Sequence, residues 1–192
     1  MTREQPAVAP LPDAEAPSAW IVRFASLVPR NGHVLDVACG RGRHSVLFAA
    51  RDCAVTAVDR DAQALTELAG VANVTTLVCD LEAAAWPFDP GRRFDAIVVT
   101  RYLHRPLFGQ LLRSLADDGV LLYETFAAGN EAYGRPSRPE FLLDENELLA
   151  IAPDRLTLIA FEQGLVKGPK PAVLQRLAAV GRGRPWPPAL PA

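Results

Sequence analysis

Apolar positions change their period along the chain. Pro6, Pro10, Pro12 and Pro17 punctuate the opening stretch, which suits neither helix nor strand and predicts a mobile tail over residues 1–17. PSAWIVRFASLVP then sets Trp20, Ile21, Phe24, Leu27 and Val28 on one side of a helix, stopped by Pro29 and Gly32. From there, short and almost wholly apolar runs alternate with helix-length segments. The runs are HVLDVA (33–38), CAVTAVD (53–59), VTTLVCD (74–80), FDAIVVT (94–100) and GVLLYETF (119–126). Between them lie RHSVLFAAR (43–51), DAQALTELAG (61–70) and RPLFGQLLRSLAD (105–117), with a looser region around Trp86, Pro87 and Pro90. Strands this apolar, separated by helices, predict a parallel sheet covered on both faces. RLTLIAFEQGLV and AVLQRLAAV, joined by KGPKP, break that rhythm and predict an antiparallel hairpin at the sheet edge. The expected fold is therefore α/β: a doubly wound, mostly parallel, seven-stranded Rossmann-like sheet with an antiparallel C-terminal hairpin. One domain over residues 18–180 is expected, followed by a Pro-rich tail over 181–192.

Composition narrows the function classes. The 192 residues include 20 basic and 22 acidic side chains, a formal charge of −2. With 49% hydrophobic and 22% charged residues the chain matches ordinary globular usage, which argues against disorder. No apolar run approaches the roughly 20 residues of a membrane-spanning helix, and the N-terminus lacks the apolar core of a secretory signal. Near-neutral charge argues against general nucleic-acid affinity. Cys39, Cys53 and Cys79 form no CxxC pair, so neither a metal site nor a disulfide framework is expected. Their apolar settings suit reduced thiols and a cytoplasmic location. Of the 20 basic residues 18 are Arg. Arginine can read phosphate or carboxylate, but GC-rich coding is the favoured explanation of an Arg- and Ala-rich chain, so only the positions of the arginines inform.

The segment VLDVACGRGRHS carries the most chemistry. Gly40 and Gly42 follow the first strand and precede a helix, where glycine permits a tight turn and close approach to a ligand. Nicotinamide and flavin enzymes also place glycines there. Two features separate the readings. Asp36 sits at the mouth of the turn, where it would repel a pyrophosphate and attract an ammonium or sulfonium. Ser45 stands where the dinucleotide fingerprint has its third glycine. Asp59 and Asp80 close the next two strands, at positions suited to ribose hydroxyls and to an exocyclic amine. Each acid alone could be a helix cap or a solvated loop residue. Together they describe one elongated, cationic, nucleoside-bearing ligand lying across the carboxyl ends of the strands.

These residues resemble the class I S-adenosylmethionine-dependent methyltransferase superfamily. DVACGRG resembles its glycine motif, VD at 58–59 its ribose acid, and CDLE at 79–82 its adenine-side acid. FDAIVVTRYLH and LADDGVLLYETF are similar to its fourth-strand motif and the helix-turn-strand that follows. Within the superfamily, GRGRHS followed by AVTAVDRD is most similar to small single-domain enzymes of the tellurite-resistance and thiopurine-methyltransferase type. The resemblance implies S-adenosylmethionine as co-substrate. It implies Asp36 near the methionine ammonium, Gly40 and Gly42 under the methionine portion, and Arg43 approaching the methionine carboxylate. Asp59 would bind the ribose, Arg60 flank the adenine, Asp80 and Leu81 hold its edge, and Thr100 and Arg101 lie close to the sulfonium. No NPPY motif of amino-group methylases and no cysteine pattern of cytosine methylases is present, so the acceptor does not carry over.

On the acceptor side, RYLHRPLF follows the fourth strand and offers Arg101, Tyr102, His104 and Arg105. His104 is the candidate general base by residue type, packing of the turn being the equal alternative. His44, within the helix after the glycine turn, reads as structural. The polar stretch TFAAGNEAYGRPSRPEFLL, expected to lead from the fifth strand to a further helix, adds Asn130, Glu131, Tyr133, Arg135 and Arg138 as a binding loop. These arginines make an anionic small molecule the first acceptor to test. A non-catalytic S-adenosylmethionine-binding regulator and an NAD(P)-dependent oxidoreductase are the alternatives; oligomeric state is open.

Overall fold

A computed structural model describes residues 16–151, 154–167 and 170–190. Nearly all of the expected mobile tail, and the last two residues of the Pro-rich tail, lie outside them. Helix α1 (Ala19–Phe24) opens the fold and tightens into a 3-10 turn at Ala25–Leu27. Then come β1 (His33–Val37), α2 (Arg43–Ala49), β2 (Ala54–Asp59), α3 (Ala62–Leu65), β3 (Val74–Val78) and β4 (Phe94–Thr100). They are followed by α4 (Phe108–Ser114), β5 (Leu115–Phe126), β6 (Leu156–Val166) and β7 (Ala172–Gly181). The seven strands form one sheet in the order β3-β2-β1-β4-β5-β7-β6. β1 to β5 pair in parallel, and β7 enters between β5 and β6, antiparallel to both.

Strand alternation divides the core into two layers. Val34, Val55, Ala96, Val98, Val120 and Leu122 pack with Trp20, Ile21, Phe24 and Phe48 of α1 and α2. Leu35, Val37, Ile97, Val99, Leu121 and Tyr123 face the opposite layer, with Leu107 and Leu111 from the α4 segment and Leu143 and Leu148 from the loop beyond β5. Both faces are thus covered, which is why the central strands are apolar throughout. Ser18 caps α1 by accepting from Trp20 N at 3.2 Å, and Trp20 Nε1 donates to Leu177 O at 3.3 Å, tying α1 to β7.

Two elements differ from expectation. The helix expected over 105–117 ends at Ser114, because Leu115 turns extended and pairs with Phe94 while Asp117, Asp118 and Gly119 favour helix poorly. After β5 no further α-helix forms among the described residues. The chain makes three 3-10 turns, at Asn130–Ala132, Pro139–Phe141 and Glu147–Ala150. Asn146 at φ 62° blocks helical continuity before the last of them. The beginning of the Pro-rich tail is pinned to the domain: Gly183 N donates to Asp117 O at 2.8 Å and Arg184 Nη1 to Leu27 O at 2.8 Å. Among the described residues no helix is long and apolar enough to cross a membrane.

Candidate active site

The sheet order reverses between β1 and β4, so a crevice opens at the carboxyl ends of these strands. The turn leaving β1 passes through three left-handed residues, Ala38 (φ 51°), Gly40 (φ 54°) and Gly42 (φ 77°). A Cβ on Gly42 would fall 2.4 Å from Leu68 Cδ2, so only glycine fits where the turn packs on the segment after α3. A Cβ on Gly40 would meet nothing within 4 Å, because that side of the turn faces open space. Asp59, at the end of β2, holds the turn: its Oδ2 accepts from Gly40 N at 2.7 Å and its Oδ1 from Asp61 N at 2.9 Å.

Asp36 occupies the last inward position of β1 on the α1–α2 face. It is 1% exposed and accepts from Ser45 Oγ at 2.6 Å through Oδ2. Its Oδ1 is buried without a partner. Burial pushes this carboxyl up to about 7, against the hydrogen bond from Ser45 and the charge of Arg43. A buried carboxylate oxygen with nothing to accept from is what a ligand ammonium would satisfy. Ser45 therefore does more than interrupt a glycine pattern: it orients Asp36. Beside it His44 is buried; its Nε2 accepts from Ser18 N at 3.0 Å, so Nδ1 carries the proton and donates to Thr100 Oγ1 at 3.3 Å. His44 thus links the N-terminal segment, α2 and the end of β4. Arg43 Nη1 donates to Ala16 O at 3.2 Å, bringing the same segment over the turn. Burial and the charges of Asp36 and Asp59 push the Cys39 thiol up, which leaves it packed and unreactive.

Two clefts meet at Tyr102. The first, about 140 Å³, is lined by Asp59, Arg60, Cys79, Asp80, Leu81, Glu82 and Tyr102, with Ala38 at its end toward the glycine turn. Asp80 Oδ1 accepts from Glu82 N at 3.0 Å, which bends the chain after β3 around this cleft. The Tyr102 hydroxyl is buried and unpartnered, and burial with the nearby Glu82 and Asp80 charges raises its pKa. The second cleft, about 230 Å³, lies between Arg101, Tyr102 and Leu103 on one side and Thr125, Phe126, Pro136 and Phe141 on the other, and shares Glu82 with the first.

The structure thus brings Asp59, Arg60, Asp80 and Leu81 around one cleft, with Asp36, Gly40, Gly42, Arg43 and Thr100 along the adjoining turn. Tyr102 stands between the clefts rather than on the acceptor side alone. Arg101, held at φ 54°, enters the second cleft. His104 lines neither cleft. Arg105 is committed elsewhere: Nε and Nη2 donate to Glu147 at 2.6 and 2.8 Å, and the guanidinium also donates to Glu140 O and Leu142 O at 3.1 and 2.8 Å. It clamps the loop after β5 rather than facing a ligand. Glu82, Thr125, Pro136 and Phe141 escaped sequence reasoning as lining residues. Glu82 lay within the CDLE motif, and Phe141 was the one aromatic ring between Arg138 and the buried Leu142, which could have marked it.

Residues 34–119 match the family model of a methyltransferase domain. No curated protein matches the chain by sequence. Among solved structures, TehB from Haemophilus influenzae is similar with a TM-score of 0.70 at 20% identity, over 84% of this chain and 61% of that one. The chain therefore spans less than two thirds of the Haemophilus protein. A TehB-like SAM-dependent methyltransferase from Corynebacterium glutamicum gives 0.61 at 19% identity, over 84% and 86% of the two chains. The 1,6-didemethyltoxoflavin-N1-methyltransferase of Burkholderia thailandensis, solved with 1,6-didemethyltoxoflavin and S-adenosylhomocysteine bound, gives 0.62 at 23% identity, over 85% and 76%. Those likenesses speak to the fold; the match over 34–119 adds the domain, built here around the glycine turn and its strand-end acids. Residues 34–119 thus match a methyltransferase domain, set in a fold shared with S-adenosylmethionine-dependent methyltransferases.

Proposed function

We propose that the protein transfers a methyl group from S-adenosylmethionine to a small-molecule acceptor by in-line displacement. The unpartnered, buried Asp36 Oδ1 beside an open glycine turn carries this reading, since a ligand ammonium would supply the partner it lacks. The residues fit the co-substrate. Asp36 takes the ammonium and Arg43 the carboxylate of the methionine part, while Gly40 and Gly42 let it lie close to the backbone. Asp59 and Arg60 serve the ribose and the adenine face, Asp80 and Leu81 the adenine edge, and Thr100 and Arg101 lie toward the sulfonium. The co-substrate supplies a methyl group activated by its sulfonium, and displacement by an acceptor lone pair returns the C–S pair to sulfur.

The chain's own residues then have to position the acceptor and exclude water. Tyr102 and Glu82, which line both clefts, set the acceptor against the nucleoside side. Arg105 acts through the loop it clamps, and His104 through the turn it begins. A toxoflavin-type acceptor in the Burkholderia neighbour is consistent with a small molecule here. The test is transfer of a deuterated methyl group from labelled S-adenosylmethionine in a cell extract. Label is expected in the low-molecular-mass fraction. Label confined to protein or nucleic acid would overturn the acceptor class. Tight binding of S-adenosylmethionine with no transfer at all would favour a regulatory protein.

A further inference from the structure

Building on that reading of the site, we infer that the acceptor is a flat aromatic ring bearing a carboxylate on its outward edge. The second cleft is walled largely by rings and apolar groups, Tyr102, Leu103, Phe126, Pro136 and Phe141, with Thr125 on the β5 side. Pro136 and Phe141 also wall a wider cleft of about 500 Å³ that opens outward beside Arg135 and Arg138. The two spaces adjoin at this Pro–Phe pair. Phe141 is 38% exposed while its neighbours Leu142 and Leu143 are buried, so its ring is left facing the cleft and not the core. An aromatic guest covers such a surface best, because planar rings stack at low conformational cost.

The walls are preformed. Asn130 is buried, donates through Nδ2 to Pro136 O at 2.9 Å and accepts through Oδ1 from Val173 N at 3.1 Å, which ties the loop to β7. Arg105 fastens the far end of the loop through Glu147. Charge sets the orientation of the guest. At the inner end Glu82 and Arg101 bring opposite signs. At the outer end Arg138 is paired with Glu140 and stacks over Phe141 at 5.4 Å, a contact that steadies the aromatic wall. Arg135 lies exposed on the rim and leaves the outer end net positive, where its planar fork matches a carboxylate.

The experiment titrates the full chain, loaded with S-adenosylhomocysteine, by calorimetry. The probes are 6-hydroxy-2-naphthoate, the matching carboxamide, and the saturated decahydro carboxylate. The naphthoate is expected to bind about tenfold tighter than either analogue. Arg135→Gln should erase its advantage over the carboxamide and leave affinity for the carboxamide and for S-adenosylhomocysteine unchanged. Equal binding of naphthoate and carboxamide, or a preference that survives Arg135→Gln, would overturn the anionic edge. Equal binding of the saturated analogue, or no binding of any probe to the loaded protein, would overturn the flat ring. Failure of S-adenosylhomocysteine itself to bind would instead strike the reading of the site on which this inference rests.

Discussion

Replacing Asp36 by asparagine separates the cost of a buried charge from its use. Burial pushes the Asp36 carboxyl from its ordinary 3.8 up to about 7, and Oδ1 has no partner. In the unfolded chain the group ionises near pH 4, in the folded chain near 7, so the folded state holds the proton more tightly between them. Its contribution to stability is therefore full below pH 4 and is lost as pH rises through 7. Three pKa units correspond to about 4 kcal/mol. A chain of this size gains roughly 2–4 °C in Tm per kcal/mol. The amide is neutral at every pH and its oxygen can still accept from Ser45 Oγ. Asp36→Asn should then match the parent near pH 4 and exceed it by on the order of 10 °C at pH 8, both without ligand, in differential scanning calorimetry. The same change removes the partner of the ammonium, so S-adenosylhomocysteine affinity at pH 8 should fall about tenfold or more. In the parent, binding at pH 6 should release a proton, visible as a dependence of the calorimetric heat on buffer; the variant should release none. A variant less stable than the parent at pH 8, or one that keeps parental affinity and proton release, would show that Asp36 neither carries a buried-charge cost nor meets the ammonium.

Three further outcomes follow from the geometry. Asp59→Ala removes both a ribose partner and the acceptor of Gly40 N, so S-adenosylhomocysteine affinity should drop at least about tenfold by calorimetry; an unchanged affinity would place the nucleoside elsewhere. Gly42→Ala combines a left-handed φ with a 2.4 Å approach to Leu68, and should cost about 2–4 kcal/mol in urea unfolding. Glu147→Gln weakens the Arg105 clamp, so limited proteolysis between residues 127 and 147 should accelerate while S-adenosylhomocysteine affinity stays unchanged; equal proteolysis would show that the loop is held by other contacts.

The fold was largely legible because the central strands β1, β2 and β4 are short and mostly apolar on both faces. FDAIVVT coincides with β4, and CAVTAVD and HVLDVA each overrun their strand by one residue. Strand ends in turn placed Asp36, Asp59 and Asp80 at one crevice, since a parallel sheet puts all its carboxyl ends together. What escaped depends on non-local contacts. Nothing near Arg105 in sequence reveals a carboxylate forty-two residues on, and a polar loop disguises the ring of Phe141 as a surface residue. The missing helix after β5 was hidden for a related reason: LLDENELLA has helical spacing, but Leu143 and Leu148 reach the core from separate turns. Side-chain traffic across the loop, not local pattern, decides that region.

Calorimetric titration of the pure chain with S-adenosylhomocysteine decides whether the glycine turn and its strand-end acids hold this nucleoside. Saturable binding of one ligand per chain is expected, weaker at pH 6 than at pH 8 because Asp36 must give up its proton. No heat at millimolar ligand, or binding of NADH in its place, would contradict it.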